Sequence, residues 1–348
     1  MTTPVFLVTG QLGSGKTTLI SRLLQRPELG ETAVIVNELG EVGIDHHLLR
    51  RVDERTVLLS SGCVCCVLRG DLSDELRSLL DLRDAGAIPP FRRVVIETTG
   101  VAEPAPIVQT LLADPLLPHH YAVGAIVVTV DGEHGLHGDE ALHQVAAADT
   151  LVLTKADMVA PHDLEALQDE LERLNPTARA IRASFGEVEP EFLLTASARD
   201  VRELARTNGH AHPDGVEAVV LTLDRTVDWT AFGIWLTMLL HARGTSILRV
   251  KGLLDTGGEG PLLVNCVRHA VHPPLHLDGW PDDDRRSRLV VIGQDVDRDA
   301  LERSLRAFVT DAPSPLPPAA GGFRGVPRPW GGDSCGSGSA RADSDLAG

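Results

Sequence analysis

The chemically densest stretch of the chain is Gly10-Gln11-Leu12-Gly13-Ser14-Gly15-Lys16-Thr17-Thr18. It fits the pattern G-x-x-x-x-G-K-[ST], with a strand-like run, Val5 to Val8, before it and the helical spacing Leu19, Ile20, Leu23, Leu24 after it. Both flanks matter, because a strand must end, a loop open and a helix begin at one place. Gly10, Gly13 and Gly15 let successive backbone N–H groups, that of Ser14 included, turn toward phosphate oxygens, and the helix N-terminus adds a favourable dipole. Lys16 neutralises charge at the β- and γ-phosphates, and the Thr17 hydroxyl can ligate Mg2+. The bland alternative is a Gly-rich turn with a chance lysine, and the flanking pattern argues against it.

Phosphate chemistry also requires an acidic group near the metal. The run Arg93-Val94-Val95-Ile96 ends in Glu97-Thr98-Thr99-Gly100, and in a parallel sheet such a strand end lies beside the loop. Glu97 is expected to reach Mg2+ through water or to position the attacking water, and Gly100 to approach the γ-phosphate through its N–H. A third strand end, Leu153-Thr154-Lys155-Ala156-Asp157, bears on the base. A carboxylate at Asp157 can accept both N–H groups of guanine's Watson–Crick edge, where adenine offers an acceptor, and the aliphatic stem of Lys155 can cover the ring. GTP is therefore favoured over ATP. Thr154 departs from the Asn that usually opens this motif.

Gly62-Cys63-Val64-Cys65-Cys66 places three of the five cysteines within four residues. Adjacent cysteines make strained disulfides, whereas thiolates so spaced can give two or three ligands to one soft or borderline ion. Zn2+ is the commonest tetrahedral choice and Cu(I) a chemical rival. The remaining position falls to Glu41, a histidine, water or a client protein, and loose closure suits a site that hands its ion on. Buried or redox-sensing cysteines without metal are the alternative. Among the 14 histidines, the groups His134/His137, His210/His212 and His269/His272/His276 are weaker prospects for a second site.

Up to about residue 210, short β-branched runs alternate with helical stretches: Val5–Val8, Ala33–Val36, Val57–Leu59, Val94–Ile96, Ala125–Val130 and Leu151–Leu153. This predicts an α/β fold, a P-loop NTPase with a mostly parallel sheet covered by helices on both faces. The clearest helices are Asp71 to Leu82, with Leu72, Leu76, Leu79 and Leu80 in register and Asp71 or Ser73 as caps, and His162 to Leu174, with Leu164, Leu167, Leu171 and Leu174. Residues 208–215 turn polar and read as a linker. Beyond them come strand Val216–Leu223, helix Trp229–His241, strands near Ile247–Leu253, Leu262–Val267 and Leu289–Ile292, and helix Ala300–Val309. These predict a small α+β C-terminal domain over 216–311, with helices on one side of an antiparallel sheet. Residues 312–348 are dominated by Pro, Gly, Ser and Ala, too poor in apolar side chains to offset ordering entropy, and are expected to form a disordered tail.

The totals agree with an enzyme-sized globular chain: 348 residues, 43% hydrophobic and 23% charged. A formal net charge of -17 disfavours a nucleic-acid partner, which demands a basic face. An export signal, a membrane span and a prenylation motif are all missing, so a cytoplasmic location is expected.

In their order along the chain these motifs resemble those of the CobW-type metal-handling GTPases. The likeness covers about residues 4 to 310 and adds Asn37-Glu38-Leu39-Gly40-Glu41-Val42-Gly43-Ile44-Asp45 as a switch-like segment and Arg249-Val250-Lys251-Gly252 in the second domain. It implies a nucleotide-binding domain followed by a CobW C-terminal domain, and Zn2+ or a related divalent ion at Cys63, Cys65 and Cys66. It further implies slow hydrolysis of GTP to GDP and phosphate, coupled to delivery of the ion to a metal-requiring client, with Asp45 beside Glu97 as a candidate for orienting water. A homodimer is one assembly it allows. Family members serve zinc homeostasis, cobalamin synthesis or activation of metalloenzymes such as nitrile hydratase. A rival of another class is a metal-responsive regulatory or buffering protein with incidental turnover. An ATP-dependent kinase would leave the cysteines and Asp157 unexplained.

Overall fold

Among the residues described by the computed structural model, 2–36, 57–60, 70–190 and 215–310, seven parallel strands form the first sheet. They are β1 (Thr3–Gly10), β2 (Thr32–Val36), β3 (Val57–Ser60), β4 (Arg93–Glu97), β5 (Tyr121–Asp131), β6 (Thr150–Thr154) and β7 (Arg179–Arg182), in the order β3-β2-β4-β1-β5-β6-β7. The helices are α1 (Lys16–Leu23), α2 (Gly70–Asp84), α3 (Pro104–Ala113), α4 (Leu117–His120), α5 (Gly138–Ala147) and α6 (Pro161–Leu174). Because the central strands are apolar at both odd and even positions, both faces must be covered. Val5, Leu7, Ile96, Val128 and Leu151 pack against α2, α3, α5 and α6, while Phe6, Val8, Val95, Val127 and Val152 pack against Leu19, Ile20 and Leu23 of α1. Burying each such side chain contributes about 1.5–3 kcal/mol. The predicted α/β fold is therefore the observed one.

One local expectation is corrected. Asp71 and Ser73 do not precede the helix but lie inside α2, which begins at Gly70. Ser73 is buried and hydrogen-bonds Asp114 instead.

The second sheet is antiparallel: β8 (Val216–Leu223), β9 (Ile247–Leu254), β10 (Leu262–Val267), β11 (Ala270–Val271), β12 (Leu275–His276) and β13 (Ser287–Gln294), in the order β11-β10-β9-β13-β8 with β12 pairing β10. Helices α7 (Trp229–Arg243) and α8 (Arg298–Thr310) cover one face, where Phe232, Trp235, Leu236, Leu301 and Leu305 meet Val219, Leu221, Val250, Leu289 and Val291. Asp228 starts α7 by accepting the Ala231 N–H at 2.8 Å. Alternation along the strands sends Ala218, Val220, Leu248, Val290 and Ile292 to the other face, where they join the core of the parallel sheet. No helix among the described residues is long and apolar enough to cross a membrane. The polar 208–215 stretch up to residue 214, and the 312–348 tail, lie outside the described residues.

The contact between the sheets contains a buried ionic seam. Arg249 on β9 has no exposure; its Nη1 donates to Ala147 O and its Nη2 to Asp149 Oδ1. Lys251 Nζ lies 3.4 Å from the same carboxylate oxygen and 3.4 Å from Thr177 O, and Asp149 Oδ2 accepts the Ile126 N–H at 3.0 Å. Burial alone would raise the Asp149 carboxyl, but Arg249 and Lys251 hold it down to about 2. Thus the two charged residues of the Arg249-Val250-Lys251-Gly252 motif bind the second sheet to the start of β6.

Candidate functional site

Beyond the C-terminal end of β1 the chain makes the loop that the glycine spacing predicts. Gly10 has φ 139°, and a Cβ there would collide with the carbonyl and hydroxyl of Thr129; Gly13 and Gly15 adopt φ 77° and 87°. Such backbone is open to glycine at little cost. Ser14 Oγ lies 2.6 Å from Thr129 Oγ1, which ties the loop to β5. Lys16 Nζ donates to Gly10 O at 2.8 Å and Gln11 O at 3.0 Å, so the ammonium sits inside the loop's own curve.

Parallel pairing sets Val8 opposite Glu97, and this register brings the acid to the loop. Thr17 Oγ1 donates to Glu97 Oε1 at 2.7 Å. Two hard oxygen donors side by side fit a Mg2+ ion. Gly100 lies against the loop so closely that a Cβ would stand 2.5 Å from Leu12 N. Gln144 of α5, 1% exposed, donates through Nε2 to Gly100 O at 3.1 Å and Ala102 O at 3.0 Å. Nothing local in the sequence marked Gln144.

The third strand end joins the same cluster. Thr154 Oγ1 lies 2.8 Å from Ser14 O and 3.1 Å from Val130 O, so the residue that departs from Asn uses its hydroxyl to brace the phosphate loop. Lys155, at φ 54°, pairs with Asp131 through Nζ and Oδ2 at 2.6 Å. Burial would raise the Asp131 carboxyl, but hydrogen bonds from Lys155, the Glu133 N–H and His134 keep it below its ordinary value. Asp157 is exposed at the rim. Beside it runs the segment after β7: Ala156 N–H donates to Ala183 O at 3.2 Å, Arg22 Nε to Phe185 O at 3.3 Å, and a Cβ on Gly186 would stand 3.1 Å from Thr18 O. Phe185 is 67% exposed at φ 55° on this pinned turn. An exposed aromatic followed by glycine after a strand is the signal that could have singled it out.

Neither His134/His137 nor His269/His272/His276 gathers as a set of ligands among the described residues. Among the described residues the one trio with ligand atoms within 4.8 Å is Asp131, Glu133 and His134, and Asp131 there is already engaged with Lys155. His137 instead exchanges backbone hydrogen bonds with the Gln11 amide, at 2.5 and 3.3 Å. Cys266 is buried in the apolar core of the second sheet, and burial pushes its thiol up to about 12. Cys63, Cys65, Cys66, Glu41, Asp45, His210 and His212 lie outside the described residues.

Residues 4–182 match the family described as CobW/HypB/UreG, nucleotide-binding domain, and residues 216–309 match the cobalamin synthesis protein cobW C-terminal domain. The chain belongs to the CobW family. Among its CobW-family relatives is the zinc chaperone YjiA of Escherichia coli, 32% identical over 302 residues that make up 83% of this chain and 93% of YjiA. The zinc chaperone CobW of Pseudomonas aeruginosa is 30% identical, over 87% of this chain and 90% of that one. The crystal structure of Zn(II)-bound YjiA GTPase from E. coli superposes with a TM-score of 0.69 at 27% identity, covering 88% of this chain and 99% of that one.

Proposed function

We propose that this chain is a GTP-dependent metallochaperone that binds a divalent metal, Zn2+ foremost, and couples hydrolysis of GTP to its delivery. The reading is carried by the convergence of three strand ends, after β1, β4 and β6, tied through Thr17–Glu97 and Thr154–Ser14. Relatives named zinc chaperones, matched over most of the chain, support the metal side. On this reading Gly10, Gly13, Ser14, Gly15, Lys16, Thr17 and Thr18 take the phosphates. Bound Mg2+ would supply charge neutralisation at the β- and γ-oxygens, with the Thr17 hydroxyl as a ligand. Glu97, and after it Asp45, orients the water, and the Gly100 N–H faces the γ-phosphate. Asp157 reads guanine, while Lys155, held by Asp131, and Phe185 wall the base on its two faces. Cys63, Cys65 and Cys66 hold the ion, with Glu41 or a client group completing its shell. The nucleotide unit is placed at 1–210 and the second domain at 216–311.

Asp157→Asn should lower the preference for GTP over ATP roughly 10- to 100-fold, because a charged acceptor for two N–H groups is lost. An unchanged preference refutes the base assignment. For the metal arm, Zn2+-loaded protein is mixed with a chromophoric chelator in the presence of GTP or a non-hydrolysable analogue. Faster release with GTP supports coupling, and equal release in both indicates passive buffering. Cys65→Ala binding Zn2+ as tightly as the parent would remove the thiolate site.

A further inference from the structure

The turn after β4 is gripped from three directions. The sheet holds its start: Thr98 N–H donates to Val8 O at 3.0 Å, and Thr98 Oγ1 to Thr9 Oγ1 at 2.7 Å. Helix α5 holds its middle through Gln144. Its end, Glu103, is held from the second sheet. Arg268 sits in the two-residue turn between β10 and β11, with Nη2 2.9 Å from Glu103 Oε1 and 3.0 Å from His143 Nδ1. His143, the residue before Gln144, places Nδ1 2.9 Å from the same carboxylate oxygen. The hydrogen bond from His143, and after it the charge of Arg268, keep the Glu103 carboxyl below its ordinary value against the opposing effect of burial.

Arg268 is well fixed for this contact. Its N–H donates to Leu248 O at 3.0 Å and its Nη1 to Thr245 O at 3.3 Å, and its backbone takes φ 50°. Side-chain-bearing residues rarely adopt that region, and these bonds hold Arg268 in it. The partners are 165 residues apart in sequence, so this is a tertiary device rather than a local turn. Glu103 stands three residues after Gly100, and Ala102 N–H closes back on Thr99 O at 3.0 Å, which links the two within one hydrogen-bonded turn.

We propose that Arg268 is a positioning residue for GTP hydrolysis: through Glu103 it holds the Thr98–Glu103 turn where Gly100 can meet the γ-phosphate. The second sheet thereby sets the turnover rate without touching the nucleotide. This rests on the GTPase reading above. Loosening such a turn by a fraction of an ångström would slow chemistry while leaving ground-state binding, which depends on the phosphate loop and Asp157, almost untouched.

The test uses the full chain with Mg2+ and GTP, measuring kcat, KM, GDP affinity and Tm. Arg268→Ala should lower kcat about tenfold with KM and GDP affinity within about twofold. Arg268→Lys should recover part of the loss, and Arg268→Ala combined with Glu103→Ala should be no slower than the worse single variant, since both break one contact. Arg286→Ala, which removes an exposed pair with Asp284, controls for loss of any surface arginine and should turn over normally. Unchanged kcat in Arg268→Ala, additive losses in the double variant, or equal losses of kcat and GDP affinity each overturn the inference. If the parent shows no GTP hydrolysis, it is the functional reading that has failed; if the parent is active and Arg268→Ala equals it, this inference alone has failed.

Discussion

Two ionic seams cross the same interface from the same antiparallel sheet, and they are built differently. The Arg249–Asp149–Lys251 seam is shut away from water at the start of β6, about 16 Å along the strand from Thr154 and the nucleotide edge. The Arg268–Glu103–His143 seam lies beside the turn that follows β4, with the Arg268 and Glu103 side chains 20% and 33% exposed. A charge pair buried as deeply as the first cannot open without stranding a charge in a dry interior, so it fixes how the sheets meet. A pair with water at hand can open and close at small cost. The difference assigns anchoring to one seam and adjustment to the other.

The largest effect should come from breaking the anchor. Arg249→Met leaves Asp149 charged and buried and removes the donor to Ala147 O, with Lys251 a poor replacement at 3.4 Å. A loss of about 3–5 kcal/mol is expected, seen as a fall in Tm of roughly 10 °C. Arg249→Met with Asp149→Leu should regain most of it, because an apolar pair removes the stranded charge as well as the bond. If the single variant loses under about 1 kcal/mol, the two seams do not differ in kind.

Much of the nucleotide edge was legible because its determinants are local. Glycine spacing, a strand before and an apolar helix after are contained within about twenty residues of sequence around Lys16. Glu97 and Asp157 follow because strand ends of a parallel sheet share an edge. Strand β7 was silent: Arg179-Ala180-Ile181-Arg182 is an edge strand with charged ends and no apolar alternation, and β11 and β12 are two residues each. Helices α3 and α5 went unnamed because their runs of Ala, Pro and Gly weaken the periodic signal. The motif Arg249-Val250-Lys251-Gly252 was visible but its purpose was not, since Asp149 lies 100 residues away. Gln144 and Arg268 are ordinary letters until the fold sets them beside the same turn.

A second, intermediate effect distinguishes the seams by pH. His272, its Nε2 buried beside the anchor, is held down to about 4 by burial first, with Arg249 and Lys251 adding to this and Asp149 opposing it. Its folded value lies below the unfolded one of about 6.5, so the unfolded chain takes the proton first. The stability due to neutral His272 is thus complete above pH 6.5 and drains away as pH falls toward 4, on the order of 2–3 kcal/mol. Asp149, at about 2 when folded, gives up its share lower, between about pH 4 and 2. Denaturant unfolding of His272→Asn should show the upper window flattened and the lower one intact. A parent flat from pH 6.5 to 4 would mean that the anchor is wetter than its geometry implies.

The smallest effect should fall on the adjustable seam. Glu103→Gln keeps an oxygen that can accept from Arg268, removes a charge already screened by solvent, and leaves Gln144 holding the turn at Gly100 and Ala102. Its cost in unfolding free energy should be below about 1 kcal/mol, several times less than that of Arg249→Met, even where turnover falls. The separation of the two readouts is the point: at the buried seam stability and function must fail together, whereas at the exposed seam the rate can change in a protein that unfolds as before. Should Glu103→Gln destabilise the fold as much as Arg249→Met, the second contact is also an anchor, and the antiparallel sheet is bolted to the nucleotide unit at both points rather than free to adjust at one.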